Sequence, residues 1–364
     1  MTHKNERLIN LLVPVLSVVL GLLLGAIVML AFGYDPVLGY ASLIDGAVGG
    51  PFYIGETLRQ ATPLILTALG FAVANTAGFF NIGVAGQALF GWVGSISVAL
   101  MMPDLPKLLL VPLCLLVGAL CGAIWAGIAG FLRAYFDTSE VIVTIMLNYT
   151  ALYIANHVVR NVLTKGDDAT PQISENASLR TDWLTTLTDN STLHLGLIIA
   201  VMMCIIVWIM MQKTTLGYEL RAVGMNPYAS EYAGMSTKKN IILAMAISGA
   251  LAGLGGSMEG LGNFQNLFVQ GSMPSIGFDG MAVSLLGAGN PFGILVAGIL
   301  FGALKIGGVS MPIGSDVPTE VVDIVIASII FFVGSSYLIR YFMKKFKRNE
   351  QKLIAANGTK KGVN

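Results

Sequence analysis

Apolar residues run through this chain in long blocks that short polar stretches separate. A transmembrane helix needs about 20 predominantly apolar residues, and ten blocks approach or exceed that length. The blocks that we interpret as transmembrane helices are residues 8–32, 61–77, 86–102, 108–132, 140–159, 193–211, 241–261, 275–289, 292–309 and 320–342. The pattern therefore predicts an all-α polytopic membrane protein with about ten transmembrane helices.

The segments between these blocks differ in polarity. Residues 33–60 are mixed and glycine-rich, so we expect them to lie along a membrane surface. Polar residues form a loop at 160–192 and an interruption at 213–240, and a basic tail occupies 344–364. We therefore expect a single transmembrane domain over 1–343, followed by the tail.

Composition supports this class of protein and excludes others. The chain is 55% hydrophobic and 11% charged, whereas a soluble domain usually carries about 25% charge. A net charge of +1 gives no basis for binding nucleic acid. The three cysteines and three histidines are scattered without metal-ligand spacing, so no metal site is expected.

The basic residues predict which side of the membrane each segment faces. With both termini in the cytoplasm, the inner segments hold fifteen Lys and Arg residues and the outer segments hold five. An excess of positive charge on the cytoplasmic side is the normal arrangement. The 213–240 interruption is then cytoplasmic, and the acidic 160–192 loop is external.

A short helix with its own start and stop is predicted inside the 213–240 interruption. Asn226 is a favourable N-cap, Pro227 suits the first helical position and Gly234 suits the end. A helix of about seven residues is unstable alone, so it must pack on something. One stripe carries the interface-type residues Tyr228 and Tyr232, and the neighbouring stripe carries the small residues Ala229 and Ala233. From spacing alone, the helix either docks on a partner protein or lies on lipid headgroups.

A second polar interruption separates two apolar blocks near residues 75–90. It places three amides and three glycines within thirteen residues, as in a broken or re-entrant helix. Such helices form transport sites when they line a wet cavity. The amides could bind an uncharged polar solute and the aromatic rings could stack on it; Asn148, midway along 140–159, could add a further amide. The candidate solute-path residues are Asn75, Phe79, Phe80, Asn81, Gln87, Trp92 and Asn148. The alternatives are a cytoplasmic hairpin with amide caps and, for Asn148, an interhelical hydrogen bond.

Three stretches together resemble the permeases of bacterial ABC importers for ribose-type sugars, branched-chain amino acids and nucleosides. They read FNIGVAGQ at 80–87, GMNPYASEYAGM at 224–235 and LLGAGNPFG at 285–293. The family often has Glu where this chain has Ala85, which puts any specific contact at that position in doubt. Residues 41–50 and 56–67 are most similar to the nucleoside permeases of Gram-positive bacteria.

The resemblance implies a role for the 224–235 stretch. In that family this segment is the coupling helix, which docks in a cleft on the ATPase subunit. The matching positions are Gly224, Asn226, Ala229, Ala233 and Gly234. Tyr228 and Tyr232 lie beside them and are of a residue type that is favoured as an anchor at interfaces.

The resemblance also implies the partners. They are an ABC ATPase that binds ATP and Mg, a second permease subunit that is a copy or a paralogue, and an extracytoplasmic solute-binding lipoprotein, all at a bacterial cell membrane. The chain lacks a GxxxxGK[ST] phosphate loop, so we expect a transport subunit that has no catalytic residues and holds no cofactor itself.

Two other functions fit parts of the pattern. An ABC permease for ribose-type sugars would need amides too, and no residue excludes ribose. A secondary transporter driven by an ion gradient would also use a broken helix, although it calls for an intramembrane acid near mid-span. An intramembrane enzyme would need a converging set of acids, metal ligands or nucleophiles, which the sequence does not offer.

Overall fold

The computed structural model describes the backbone of residues 3–335 and the side chains of residues 13–335. Over this range the fold is helical, with two isolated β-bridges and no strand. The helices are α1 (His3–Ala31), α2 (Pro36–Val48), α3 (Pro51–Thr76), α4 (Val84–Met101), α5 (Lys107–Phe136), α6 (Glu140–Val158), α7 (Asp182–Leu187), α8 (Gly196–Lys213), α9 (Thr215–Met225), α10 (Pro227–Tyr232), α11 (Thr237–Met258), α12 (Ile276–Leu286), α13 (Pro291–Ser315) and α14 (Thr319–Gly334). Single π-helical segments extend α6 (Val159–Leu163) and α11 (Glu259–Phe264).

The all-helical membrane class is confirmed, whereas the number of spans is not. Within the described residues, eight helices are long and apolar enough to cross a membrane. Helix α12, in the 275–289 block, has only 11 residues and is about 16 Å long. The 320–342 block is described only as far as residue 335, and the basic tail lies outside the described residues. Ten spans with cytoplasmic termini therefore stay a prediction.

The prediction of a surface segment over 33–60 is wrong for its second half. Residues 51–60 form the first turns of α3. The charged residues there do not need water, because Glu56 and Arg59 form an ion pair of 2.8 Å and keep only 13% and 17% of their side chains exposed. Paired charges of this kind can enter a helix bundle, which hydropathy alone does not reveal.

The described chain forms two units. One contains α1 and α14, which pack together where Gly21 lies against Ile329. The other covers residues 40–314 and is built around α11, which packs on α3, α4 and α5. In that second unit Gly249 lies against the Gly122 carbonyl and Gly253 against the Gly118 carbonyl. The small residues of α11 thus permit a close contact between helices of the same chain.

Two ends of the 40–314 unit carry its polar segments. We call the first the turn end: turn 77–83, the 224–234 segment and turn 287–291. The second is the loop end, formed by the 164–195 loop and residues 259–275. Lys107 and Arg180 meet at the loop end, where the Lys107 ammonium donates to the Arg180 carbonyl at 2.8 Å. Arg221 belongs to the turn end, beside Thr76 and Asn290.

Candidate functional site

The short helix predicted inside the polar interruption is confirmed as α10. The Asn226 side-chain oxygen accepts a hydrogen bond from the Ala229 N–H at 3.0 Å, as an N-cap should. Gly234 ends the helix with φ of +85°, a left-handed conformation that favours glycine. Its N–H donates to the Glu231 carbonyl at 2.9 Å. The caps therefore fix the two ends of α10, while the buried Ser230 side packs on the rest of the unit.

The outer surface of α10 is open. Tyr228 is 81% exposed and Tyr232 is 99% exposed, while Ser230 on the opposite side is buried. Ala229 and Ala233 are exposed as well. Two protruding aromatic rings beside small residues form a surface that a partner could cover closely.

Gly224 has a contact that the sequence did not predict. A Cβ at this position would overlap the Thr76 carbonyl oxygen and lie 2.9 Å from the Ala77 carbonyl carbon. From the other side, Gly78 has φ of +88°, and a Cβ there would lie 3.2 Å from the Gly224 Cα. The end of α9 and turn 77–83 thus meet backbone to backbone, and only glycine permits the approach.

Turn 77–83 is held by a buried amide cluster. The Asn81 side-chain amide donates to Gln87 Oε1 at 2.9 Å and to Ser248 Oγ at 2.8 Å. Asn81 Oδ1 accepts from the Gly83 N–H and from the Gln87 amide, each at 3.0 Å. Asn81 and Gln87 are 0% and 1% exposed. Their amides therefore bind the turn to α4 and α11 in this conformation.

Asn148 forms a matching link to α6. Its Oδ1 accepts from the Gly86 N–H at 2.8 Å, and its amide donates to the Ile82 carbonyl at 3.0 Å. The geometry matches the interhelical hydrogen bond that the sequence left as an alternative. Turn 77–83 is consequently bonded to three helices, α4, α6 and α11.

The other predicted solute-path residues are spread over the structure. Asn75 is exposed at the end of α3, Phe79 is buried, and Phe80 stands edge-on to Phe71 with ring centroids 5.0 Å apart. Trp92 lies eight residues beyond the start of α4, about 12 Å from the turn. Its ring stacks on Phe264 at 5.3 Å, and its N–H donates to the Asn266 carbonyl at 2.9 Å. Trp92 therefore does not join the amides in one site.

The third sequence motif also reaches the turn end. Asn290 Oδ1 accepts from the Phe292 N–H at 3.0 Å and caps the start of α13. A cleft of about 190 Å³ at this end is lined by residues of α3, α8, α9 and turn 287–291, including Thr76, Arg221 and Asn290. All three motifs that carried the family resemblance thus assemble around one end of the unit.

The loop end holds a polar network that sequence reasoning missed. Arg180 donates to the Gly262 carbonyl at 2.8 Å and to the Asn263 carbonyl at 2.5 Å. The Glu56 carboxylate accepts from both the N–H and the hydroxyl of Thr192, each at 2.7 Å. These bonds join residues that are 82 or more positions apart, so no local pattern could indicate them.

His194 forms the buried centre of this network. Its Nδ1 accepts from the Gly196 N–H at 3.1 Å, so Nε2 carries the proton and donates to Asn263 Oδ1, also at 3.1 Å. The Asn263 amide then donates to Glu259 at 2.7 Å. Burial lowers the pKa of His194 to about 4, against the raising effect of the Asn263 bond. The imidazole is therefore neutral at physiological pH, and its two bonds fasten the 164–195 loop to the end of α11.

The structure is an all-helical membrane unit with an exposed, capped helix that glycine contacts hold against a hydrogen-bonded turn, which are the features that the sequence resemblance to transport permeases led us to expect. The family comparison agrees. The chain belongs to the family described as the permease component of branched-chain amino acid transport systems, whose model matches residues 53–334.

Curated relatives are similar over nearly the full chain. The guanosine ABC transporter permease protein NupP of Bacillus subtilis is 51% identical over 94% of this chain and 98% of its own length. The nucleoside ABC transporter permease protein NupB of Lactococcus lactis is 48% identical over 98% of each chain. The glucose ABC transporter permease protein TsgB13 of Haloferax volcanii is 33% identical over 90% of this chain and 88% of its own. No solved structure gave a significant match.

Proposed function

We propose that this chain is the transmembrane permease subunit of an ATP-driven importer for nucleosides in a bacterial cell membrane. The observation that carries the solute class is the near-full-length identity of about one half to two nucleoside permeases. The energy source is a separate ATPase subunit that binds ATP and Mg. A second permease subunit completes the solute path, and an extracytoplasmic binding lipoprotein delivers the solute to the loop end.

The turn end is the proposed entry point for the motion that ATP drives. Tyr228 and Tyr232 dock in the ATPase, and the capped α10 moves as one rigid piece. The contact of Gly224 with Thr76 and Gly78 passes this motion to turn 77–83. The amides of Asn81 and Asn148 then pass it to α4, α6 and α11. In this scheme the amides position helices and do not bind solute.

A sugar permease is the second candidate, and one observation favours it: TsgB13, at 33% identity, is a glucose transporter subunit. The chain is more similar to the two nucleoside permeases, so the sugar function ranks lower. An ion-coupled secondary transporter has no comparable support, because the family is one of transport-system permease components and NupP and NupB are ABC transporter permeases.

Uptake of radiolabelled guanosine tests the proposal. The importer is reconstituted with its ATPase, second permease and binding lipoprotein, and ATP-dependent uptake of guanosine is compared with uptake of ribose and glucose. We expect guanosine uptake, and we expect its loss in Gly234→Asp and Ala229→Trp variants that still insert in the membrane. Ile124→Trp, an exposed position on the apolar face of α5 and outside both polar ends, is the matched control. Uptake of sugar alone would refute the nucleoside function, and normal uptake by the α10 variants would refute coupling through this helix.

A further inference from the structure

The exposed face of α6 differs in chemistry from the exposed faces of two other membrane-spanning helices, α5 and α8. On α5 the exposed side chains between the helix ends are apolar: Pro112, Leu116, Leu120, Ile124, Ile128 and Phe131. On α8 they are Ile198, Val201, Met202, Ile205, Ile206 and Ile209. Such faces suit the hydrocarbon of a bilayer. The exposed face of α6 instead carries Tyr149, Thr150, Tyr153 and His157 among its apolar residues.

The two tyrosines lie at membrane depth. The apolar span runs over Glu140–Leu163, and Tyr149 is nine residues from its start, or about 14 Å along the helix. The hydrocarbon core of a bilayer is about 30 Å thick, so Tyr149 is near its middle, and Tyr153 lies one turn farther on. Tyrosines that face lipid normally lie at the membrane interfaces, where their hydroxyls reach water. A mid-membrane position on an exposed face therefore needs another explanation.

Neither tyrosine hydroxyl has a hydrogen-bond partner among the described residues, although the rings are 55% and 71% exposed. Thr150 differs, because its hydroxyl donates to the Met146 carbonyl of its own helix at 2.9 Å. A tyrosine hydroxyl stands too far from its own backbone for such a bond. A hydroxyl loses its hydrogen bonds to water when it enters hydrocarbon unpaired, so direct contact with lipid tails is unfavourable for this face.

The opposite face of α6 is fully engaged. Asn148 bonds to the Gly86 N–H and the Ile82 carbonyl, and Thr144, Ala151 and Ala155 are buried. Positions 149 and 153 are four residues apart and therefore neighbours on the helix surface. Two aromatic rings with two free hydroxyls thus form one continuous patch on α6, which the bonds of Asn148 hold in place.

We propose that Tyr149 and Tyr153 line the water-filled solute path and bind the solute as it crosses the midplane. This inference rests on the proposed function and identifies the solute-contact residues that the buried amides do not provide. The patch suits an uncharged molecule that has a flat ring for stacking and hydroxyls for hydrogen bonding, which is the chemistry of a nucleoside. Coupling reaches the same helix through Asn148, so motion of turn 77–83 moves this patch.

Cysteine labelling in the complete importer tests whether this face is wet. Cys114, Cys121 and Cys204 are first changed to Ala, and single cysteines are placed by Tyr149→Cys and Tyr153→Cys. Leu120→Cys on α5 and Ile205→Cys on α8 are matched controls of similar exposure. A charged, membrane-impermeant methanethiosulfonate reagent should modify positions 149 and 153 at least tenfold faster than 120 and 205. Equal reactivity at all four positions would overturn the proposal, as would a cross-link from 149 or 153 to the second permease subunit that excludes the reagent.

Guanosine uptake separates solute contact from structural support. We expect Tyr149→Ala and Tyr153→Ala to lower the maximal uptake rate at least tenfold, with the ATPase still bound and little change in KM, because the binding protein captures the solute. Tyr→Phe changes, which keep the ring, should retain more uptake than the Ala changes. If the wild-type importer takes up no nucleoside, the proposed solute class fails, while labelling still reports the path. Wild-type uptake rates in the Ala variants would overturn solute contact.

Discussion

The two ends of the 40–314 unit are built by different means. At the turn end, glycine backbones meet at Gly224 and Gly78, and α10 projects with its tyrosines exposed. At the loop end, buried side chains of Arg180, His194 and Glu56 fasten the 164–195 loop by long-range hydrogen bonds. The contact of α9 with turn 77–83 is made by backbone atoms and leaves the outer face of α10 free, although buried amides hold the turn itself. Under the proposed function, motion enters at the turn end through α10, and the hydrogen-bonded loop end acts as a fixed cap.

The largest effect should come from a change at Gly224. In Gly224→Ala the new methyl group would collide with the Thr76 carbonyl, so the end of α9 must move away from turn 77–83. We expect ATP-dependent uptake to fall at least about tenfold. The overpacking costs about 1–3 kcal/mol and is relieved only if the 224–234 segment moves out of contact with turn 77–83. Uptake per inserted protein is the measurement.

The matched control for Gly224 is Gly127→Ala in α5, where an added Cβ meets nothing within 4 Å. This variant should transport at the wild-type rate. Equal uptake by the two variants would show that the backbone contact carries no motion.

At the loop end, Arg180→Ala should destabilise the protein most. It removes two hydrogen bonds from a charged donor to the Gly262 and Asn263 carbonyls, at about 1.5–3 kcal/mol each. Thermal unfolding in detergent should show a clear drop in Tm. Arg160→Ala is the control, because Arg160 pairs with Asp168 where both side chains are at least half exposed, and such pairs contribute about 0.2–1 kcal/mol. Similar losses in both variants would argue against an interlocked cap.

The amide cluster should show an intermediate effect. Asn81→Ala leaves the buried Gln87 and Ser248 groups without their partner, which costs about 1–3 kcal/mol. Asn75→Ala, an exposed amide at the end of α3, should change the unfolding free energy by less than about 0.5 kcal/mol. Asn75 precedes the turn that contains Asn81, so equal destabilisation by the two changes would contradict the structural role of Asn81.

Acid should weaken the loop end by a smaller amount. The pKa of His194 is lowered from 6.5 to about 4 in the folded protein by burial. Below pH 6.5 the unfolded chain therefore binds a proton that the folded chain does not, and stability falls as the pH decreases towards 4. At pH 5.5 the loss is on the order of 1 kcal/mol. The drop in Tm between pH 7.5 and pH 5.5 should be smaller in His194→Gln than in the wild-type protein. An equal drop in both would show that the lowered pKa of His194 does not contribute to the loss of stability in acid.

The same two ends also show how far sequence can lead. Asn226, Pro227 and Gly234 act within a few residues of themselves, so the bounds of α10 could be predicted from local chemistry. The partners of Asn81 and Arg180 lie 167 and 82 positions away. Residue type alone could not distinguish a solute-binding amide from one that fastens two helices. The burial of the Glu56–Arg59 pair was missed for a different reason: the two residues are only three positions apart, but their pairing removes the need for water that hydropathy assumes.

The docking of an ATPase on α10 is the central claim, and site-specific cross-linking tests it most directly. A photoreactive residue would replace Tyr232 at the turn end or Trp183 in α7 at the loop end, both exposed aromatic positions. In membranes that contain the whole importer, irradiation should join position 232 to the ATPase subunit and leave position 183 without that product. Capture of the ATPase at 183, or its absence at 232 in an importer that still transports, would contradict the account.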